Sequence, residues 1–360
     1  MLKAMIRNLV RGEDLAPAEM IEAMELILSG QARPSQTAAF LVALRLKGEK
    51  AEEIAAAAEV MRRYTPRISA SDDVVVLDRD EINLDEETVA KTCSLDQGLT
   101  NTFNISTATA LVAAGGGIRV AKYGSRFEST FCGSANVVTA LGLNLDLTLT
   151  EVERCLEQIG LGFLYANVFL TPLRHPTRVR EEIGVMTIFN QIQPLANPAG
   201  GQRQVLGVYH PEKVVLMGKV LKLLGCREAL VVHGQDTLDE ISITGPTLIS
   251  HLKNGANYHY ELVPEDLGLT RAGVEQIKGG HAGDNAKIIR EILDGAPGPK
   301  RDVVLLNAAA VFLVADLAAD LKQGLERAKE AIDSGRAKAK LNELIAFTAQ
   351  CGVYQHKDVS

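Results

Sequence analysis

The sequence predicts an α/β protein: a small helical domain followed by a larger α/β domain, with a central mixed sheet flanked by helices and a cleft between the two parts. Three observations predict it. The first 65 residues carry apolar positions at helical spacing, punctuated by proline and glycine. Beyond residue 67 short apolar runs alternate with helix-forming segments, the pattern of layered α/β architecture. A chain of 360 residues, 46% hydrophobic and 23% charged, has ample material for a large core.

The elements follow in order. LAPAEMIEAMELILSG is a helix that stops at a glycine, and PSQTAAFLVALRLKG repeats the pattern from a Pro/Ser start to Gly48. EKAEEIAAAAEVMRRY makes a third helix, ended by Pro66, whose ring disfavours a helical residue before it. Residues 67–91 then place a short β-branched run inside an acidic stretch. ALVAAGGGIRVAKYG, EALVVHG and DVVLLNAAAVFLV each join an apolar run to small or helix-forming neighbours. ANVVTALG and VVLMGKVLKLLG read as helices, and ITGPTLISHLKNGANYHYELVPEDLGL as strand and loop, an antiparallel appendage.

The bulk charge narrows the classes of partner. A net charge of −7 argues against nucleic acid or an anionic membrane, either of which favours a basic face. No apolar run approaches the roughly 18 residues of a membrane helix. Glu13 and Asp14 arrive too early for a secretory signal. Cys93, Cys132, Cys155, Cys226 and Cys351 are scattered and form no CxxC pair, the usage of reduced thiols in a cytoplasmic protein.

Four stretches can carry chemistry. TFNISTATALVAAGGG opens a helix with hydroxyl and amide side chains, and a helix start offers unpaired N–H groups and the positive end of the dipole to a phosphate. Asn104, Ser106 and Thr107 would add side-chain donors, although a plain helix cap is the bland alternative. In AKYGSRFESTFCGSANVVTALG a strand ending in Lys122 leads through a turn to Ser129, Thr130 and Ser134, a second anion cradle. HGQDTLDEISITG holds the adjacent acids Asp239 and Glu240, and Mg²⁺ takes one or two carboxylates and completes its shell with water and phosphate. LRHPTRVREEIGVMTIFN places Arg174, His175, Arg178 and Arg180 just before an acidic helix start, where one arginine can fork onto a carboxylate or phosphate. GGHAGDNA, at 279–286, is a further small-residue turn into a helix and a weak signal.

Taken in order, PSQTAAFLVALRLKGE, TFNISTA, VAK-x-G-x-R, GSA-x-V--ALG, GVMTIFN with PLANP, QVLGVY, ALVVHG, LDEIS-TGPT, GG-A--NA and VLLNAAA resemble the anthranilate phosphoribosyltransferase family along nearly the whole chain. The resemblance implies a small helical domain over 1–66, completed by helices from about 165–195 and hinged to an α/β domain over 67–360, in a homodimer formed through the helical domain. It also implies that phosphoribosyl pyrophosphate (PRPP) binds with Mg²⁺ in the cleft, where an aromatic amine displaces the diphosphate. Positions matching the phosphosugar contacts are Thr102, Asn104, Ile105, Ser106, Thr107, Lys122, Ser129, Thr130 and Ser134. Those matching the metal ligands are Ser106, Asp239 and Glu240, and the acceptor-binding set is Tyr123, Ser125, His175 and Arg180, with Arg180 at the arginine that pairs with the anthranilate carboxylate.

Departures from the family pattern cluster. Where the family has GTGGDG, this chain has SLDQGL in a gapless register or CSLDQG with one insertion, so Asp96 and Gln97 enter space needed by diphosphate. Ser125 replaces an acceptor-contacting asparagine, Tyr123 a histidine, and Met186 an arginine. The helix start, Lys122, Arg180 and the acidic pair remain. Random decay would not spare those groups selectively, so the sequence predicts a transferase using PRPP or a related phosphosugar, with an aromatic or heterocyclic acceptor other than anthranilate. The alternatives are an ordinary anthranilate phosphoribosyltransferase and a non-catalytic binding or regulatory homologue, nucleic-acid binding included.

Overall fold

The computed structural model describes residues 1–68, 73–79, 102–124, 133–165, 173–236 and 238–351. Four helices open the chain: α1 Leu2–Val10, α2 Pro17–Leu28, α3 Pro34–Lys47 and α4 Ala51–Tyr64. Their starts are set locally. Glu19, Gln36 and Glu53, each three residues into its helix, accept the backbone N–H of Ala16, Arg33 and Lys50 at 2.9, 3.3 and 2.8 Å. Proline opens α2 and α3, where no N–H is missed. Glu53 also accepts Leu15 N–H and the Lys47 ammonium, so this buried carboxylate ties α4 to the α1–α2 connection and to α3.

The rest of the chain forms a seven-stranded sheet among the described residues. Its strands are β1 Val75–Arg79, β2 Val120–Gly124, β3 Leu161–Tyr165, β4 Arg203–Gly207, β5 Glu228–Gly234, β6 Thr247–Lys253 and β7 Ala256–Leu262. The order is β3-β2-β1-β4-β5-β6-β7. β1 to β5 are parallel, and β6 and β7 add antiparallel to the β5 edge, so the sheet is mixed as the sequence predicts. The apolar centres of β1, β4 and β5, Val75 to Leu77, Val205 to Leu206 and Ala229 to Val232, are buried because both faces of a parallel sheet are covered.

Helices flank the sheet: α5 Ile105–Gly115, α6 Ser134–Ala140, α7 Leu149–Gln158, α10 Pro211–Leu223, α11 Ala282–Leu293, α12 Pro299–Val314, α13 Leu321–Asp333 and α14 Arg336–Gln350. α5 is buried along its whole length, packed by α12, α13 and α14. It tolerates this crowding because its end is glycine: a Cβ at Gly115 would stand 2.6 Å from the Ala337 backbone.

α8 Arg174–Ile183 and α9 Ile188–Ile192 leave the sheet and pack on the N-terminal helices, α8 on α2 and α3, α9 on α3 and α4. This corrects one expectation. Arg174, His175, Arg178 and Arg180 lie inside α8, and the acids Glu181 and Glu182 fall in its last turn. Pro176 sits in the first turn, where its missing N–H costs nothing, so it starts the helix and does not delay it. A second correction concerns β2. Lys122 is interior to that strand, opposite Leu77 of β1 and Phe163 of β3, with pairing continuing to Gly124.

Candidate active site

The topology selects one end of the sheet. The chain leaves β1 outward to β2 and β3, then returns to the other side of β1 for β4 and β5. Between β1 and β4 the direction of winding reverses, and ligands of open parallel sheets bind at the carboxyl ends of the strands beside such a reversal. α5 is the crossover from β1 to the parallel β2, so its first turn points into that end. α6, with Ser134 as its first residue, begins at the same end after β2.

Register then places the charged groups. Residues paired across parallel strands project to the same face, so Lys122, opposite Leu77 and through it Val205, shares a face with Gly207 at the end of β4. Asp239 stands directly over Gly207: a Cβ there would be 1.8 Å from the Asp239 carbonyl oxygen. Lys122 and Gly207 are two strands and two residues apart, about 12 Å between Cα atoms from ideal strand spacings. That gap, spanned from one side by a lysine side chain, suits a phosphosugar. Lys122 is 4% exposed, Asp239 7% and Glu240 5%, so all three charges are withdrawn from bulk water, where their interactions strengthen.

Each functional segment is held by a partner distant in sequence. Asn307 of α12 brackets Ile241: its Oδ1 accepts Ile241 N–H at 2.9 Å, and its Nδ2 donates to the carbonyls of Ile241 and Val303, both at 2.9 Å. The chain immediately after Asp239 and Glu240 is thereby fixed to a buried helix. Behind it, Ser242 Oγ donates to Asp236 Oδ2 at 2.7 Å and Thr244 Oγ1 to the same oxygen. Burial raises the Asp236 carboxyl above its usual range, against the Ser242 hydrogen bond.

The α5 tip is buttressed in the same way. Thr102 bridges to Lys278, and Phe103 N–H donates to Ile277 O at 3.4 Å. Asn285 donates through Nδ2 to Asn104 Oδ1 at 3.0 Å and accepts Gly280 N–H at 2.8 Å. Gly279 is glycine because a Cβ would come within 2.7 Å of the Phe103 backbone. The weak GGHAGDNA signal is therefore the support of the TFNIST helix start. Ile105, Ser106 and Thr107 are buried at that start, and Thr107 Oγ1 has no hydrogen-bond partner.

Of the acceptor-binding set, Arg180 is 7% exposed with its guanidinium 5.3 Å from the centre of the Phe189 ring, a cation–π contact. α8 follows β3 in the chain and packs on α2 and α3, so Arg180 lies on the helical side of the molecule. His175 is not brought to it. Five residues earlier on the helix it is exposed and lies against Gly30, where a Cβ would meet its Nδ1 at 2.7 Å. Ser125, Ser129, Thr130, Asp96, Gln97 and the Tyr123 side chain lie outside the described residues.

Sequence reasoning assigned no role to Asn285, Asn307, Gly207 or Gly279. A signal existed for Asn307, an amide inside VVLLNAAAVFLV: a polar group in so apolar a helix must be satisfied when buried. Its partner 66 residues away was not legible.

A helical bundle joined to a mixed sheet, with an anion-directed helix tip, a buried lysine and paired acids at the strand ends, is the architecture of a two-domain glycosyltransferase. The comparisons with known proteins agree. Residues 3–65 match the helical bundle domain and residues 98–338 the a/b domain of the glycosyl transferase family. Anthranilate phosphoribosyltransferases of Geotalea uraniireducens (strain Rf4) and Geobacter sulfurreducens are 46% and 48% identical to it, each over 97% of this chain and 99% of the relative. The crystal structure of the Thermus thermophilus enzyme superposes with TM-score 0.85 at 37% identity, covering 96% of this chain and 99% of that one. The Saccharomyces cerevisiae enzyme in complex with PRPP and Mg gives 0.83 at 25% identity, covering 97% and 98%. The chain belongs to the anthranilate phosphoribosyltransferase family.

Proposed function

We propose that this chain is a Mg²⁺-dependent phosphoribosyltransferase that takes PRPP as donor and an aromatic or heterocyclic amine other than anthranilate as acceptor. The donor half is supported by one observation: buried Lys122 shares a face of the sheet with Gly207, over which Asp239 stands, next in the chain to the buried Glu240. Asp239, Glu240 and the Ser106 hydroxyl are oxygen donors that would hold a hard cation together with phosphate and water. No cluster of three or more His, Cys, Asp or Glu competes for a metal among the described residues. Mg²⁺ held there would supply charge neutralisation to the diphosphate.

The chain's own groups do the rest. Breaking the anomeric C–O bond builds positive charge on the sugar and negative charge on the leaving diphosphate. The α5 N–H groups and Lys122 stabilise the latter, and one such preorganised donor is worth about a hundredfold or more in rate. Arg180, in cation–π contact with Phe189, forks onto an acidic group of the acceptor. The reaction needs no protein nucleophile, only positioning and charge.

The acceptor half rests on sequence: Ser125, Tyr123 and Met186 stand where the family has asparagine, histidine and arginine, while Arg180 is kept. A second reading, anthranilate itself as acceptor, is favoured by the 46–48% identity to anthranilate phosphoribosyltransferases. Transfer rates from PRPP and Mg²⁺ to anthranilate and to a panel of other aromatic amines separate the two. Anthranilate as the poorest acceptor supports the proposal; anthranilate as the best, with rescue of a tryptophan auxotroph, replaces it by the second reading. No transfer to any amine would leave a binding protein.

The same proposal divides the chain near residue 66, with α8 and α9 completing the helical domain, a reading supported by their packing on α2, α3 and α4. It includes a homodimer through that domain. Val10 and Leu46 are 74% and 82% exposed on α1 and α3, beside a groove floored by Leu9 and Ala43, and light scattering at twice the 38.7 kDa chain mass is expected. A reducing, cytoplasmic compartment is supported by the free thiols of Cys155, Cys226 and Cys351. No helix of the described residues is long and apolar enough to cross a membrane.

A further inference from the structure

The chain passes from the helices into the sheet after α4 and again after α9, and these two crossings meet at the amino-terminal edge of the sheet. Ile68 N–H donates to Pro198 O at 3.1 Å and joins them. Between them lies a cavity of about 330 Å³, lined by Arg62, Thr65 and Arg67 from the first crossing and by residues 196–202 from the second. Val74, Gln202 and Gly225 precede β1, β4 and β5, so this cavity sits at the opposite end of the strands from Lys122 and Asp239.

Its lining is cationic and incompletely satisfied. Arg62 Nε donates to the Leu195 carbonyl at 2.6 Å, but its buried Nη2 has no hydrogen-bond partner. Among the described residues, Arg62 and Arg67 form no ion pair and none of those lining the cavity is acidic. Asn197 is 5% exposed; its Oδ1 accepts Ala199 N–H at 2.9 Å, while its Nδ2 is buried without a partner. Cys226 supplies no counter-charge: its thiol donates to Gly201 O at 2.6 Å, and burial pushes its pKa up to about 11. Burial depresses the Arg62 guanidinium, and the like charge of Arg67 adds to that. Arginine nevertheless stays protonated at neutral pH. A half-buried guanidinium with one buried nitrogen unpaired and no acidic partner among the described residues is a costly arrangement that a bound anion relieves.

The geometry points to a second ligand site here: the Arg62–Arg67–Asn197 cavity binds a small oxyanion, the phosphate or carboxylate group of a metabolite, between the two interdomain crossings. Two buried donors without a partner, on Arg62 and Asn197, line one space with the exposed Arg67 cation, the volume suits a molecule rather than a water, and the site is independent of the sheet-end cleft. An anion there bridges the segments that connect the lobes and so bears on how they sit across the cleft.

Calorimetric titration tests it, with inorganic phosphate in one arm and benzoate in the other. The background is the full chain carrying Lys122→Ala, which weakens the phosphate affinity expected at the sheet end, so that loss of binding on Arg62→Gln marks the second site. Saturable binding of one anion per chain is expected, and adding Arg62→Gln weakens it about tenfold or more, the usual cost of losing a hydrogen bond to a charged group. Arg67→Gln, an exposed substitution that leaves the fold intact, weakens it to a lesser degree. The preferred arm tells phosphate from carboxylate. Absence of saturable binding of either anion in the Lys122→Ala protein overturns the site, as does affinity that neither arginine substitution changes. Because the background lacks Lys122, failure here leaves the PRPP reading standing, and failure of PRPP to bind the wild type leaves this site standing.

Discussion

Gly207→Ala is the sharpest local probe of the acidic pair. A methyl group on Gly207 would lie 1.8 Å from the Asp239 carbonyl oxygen and 2.7 Å from its carbonyl carbon, whereas Cβ contacts under 3.0 Å essentially do not occur. The backbone of Asp239 must therefore withdraw by about 1.2 Å, because the obstacle is main chain and β4 is locked between β1 and β5. Overpacking of this kind costs about 1–3 kcal/mol of stability, and a misplacement near 1 Å at a reacting centre costs about a hundredfold in rate. The expected result is a folded protein with a modestly lower melting temperature and kcat/KM down about a hundredfold, with weaker Mg²⁺ dependence of PRPP binding. Gly283→Ala, whose Cβ meets nothing within 4 Å, is the control and should leave both unchanged. A Gly207→Ala protein with wild-type Mg²⁺ dependence and turnover would refute the placement of Asp239 in the site.

Three further outcomes are expected. Asp239→Asn removes the charge without changing the shape, so PRPP affinity in the presence of Mg²⁺ falls at least tenfold while affinity without it changes little, as calorimetry will show. Replacing residues 94–99 by GTGGDG restores backbone N–H access to diphosphate and raises PRPP affinity; unchanged affinity in the folded variant shows that this segment does not limit the site. Cys155, whose pKa burial pushes up to about 12, carries almost no thiolate at pH 8. It should resist iodoacetamide in the native protein and react after denaturation, by mass mapping, because the thiolate is the nucleophile.

What the sequence made legible follows from the range of the forces involved. α2, α3 and α4 were readable because proline, glycine and the glutamates that cap them act within one turn. The antiparallel β6–β7 hairpin was readable from NG at 254–255, where Asn254 adopts φ 51° and Gly255 φ 74°, the left-handed pair of a tight turn. DVVLLNAAAVFLV was not separable into strand or helix by pattern, since a helix buried on all sides, as α12 is, loses its periodicity. The strand order was not legible, because it is set by crossovers, and neither were the two asparagine clamps.

The site divides along the same line. Lys122, the α5 tip and Asp239–Glu240 announced themselves by residue type beside turns, and the fold carries Lys122 and Asp239 to one face. His175 shared a segment with Arg180 and so looked like its companion. Helical geometry separates the two, since five residues turn a side chain about 140° around the axis. The cavity at Arg62 gave no sequence signal, as its walls come from two crossings more than 120 residues apart.

Whether the strand-end face bearing Lys122 and the acidic pair is a working Mg²⁺–PRPP site is decided by titrating PRPP into the wild-type chain with and without Mg²⁺. One saturable, Mg²⁺-enhanced site per chain is expected, weakened at least tenfold by Lys122→Ala. An absence of heat with Mg²⁺ present, or an affinity indifferent to both Mg²⁺ and Lys122, would contradict it.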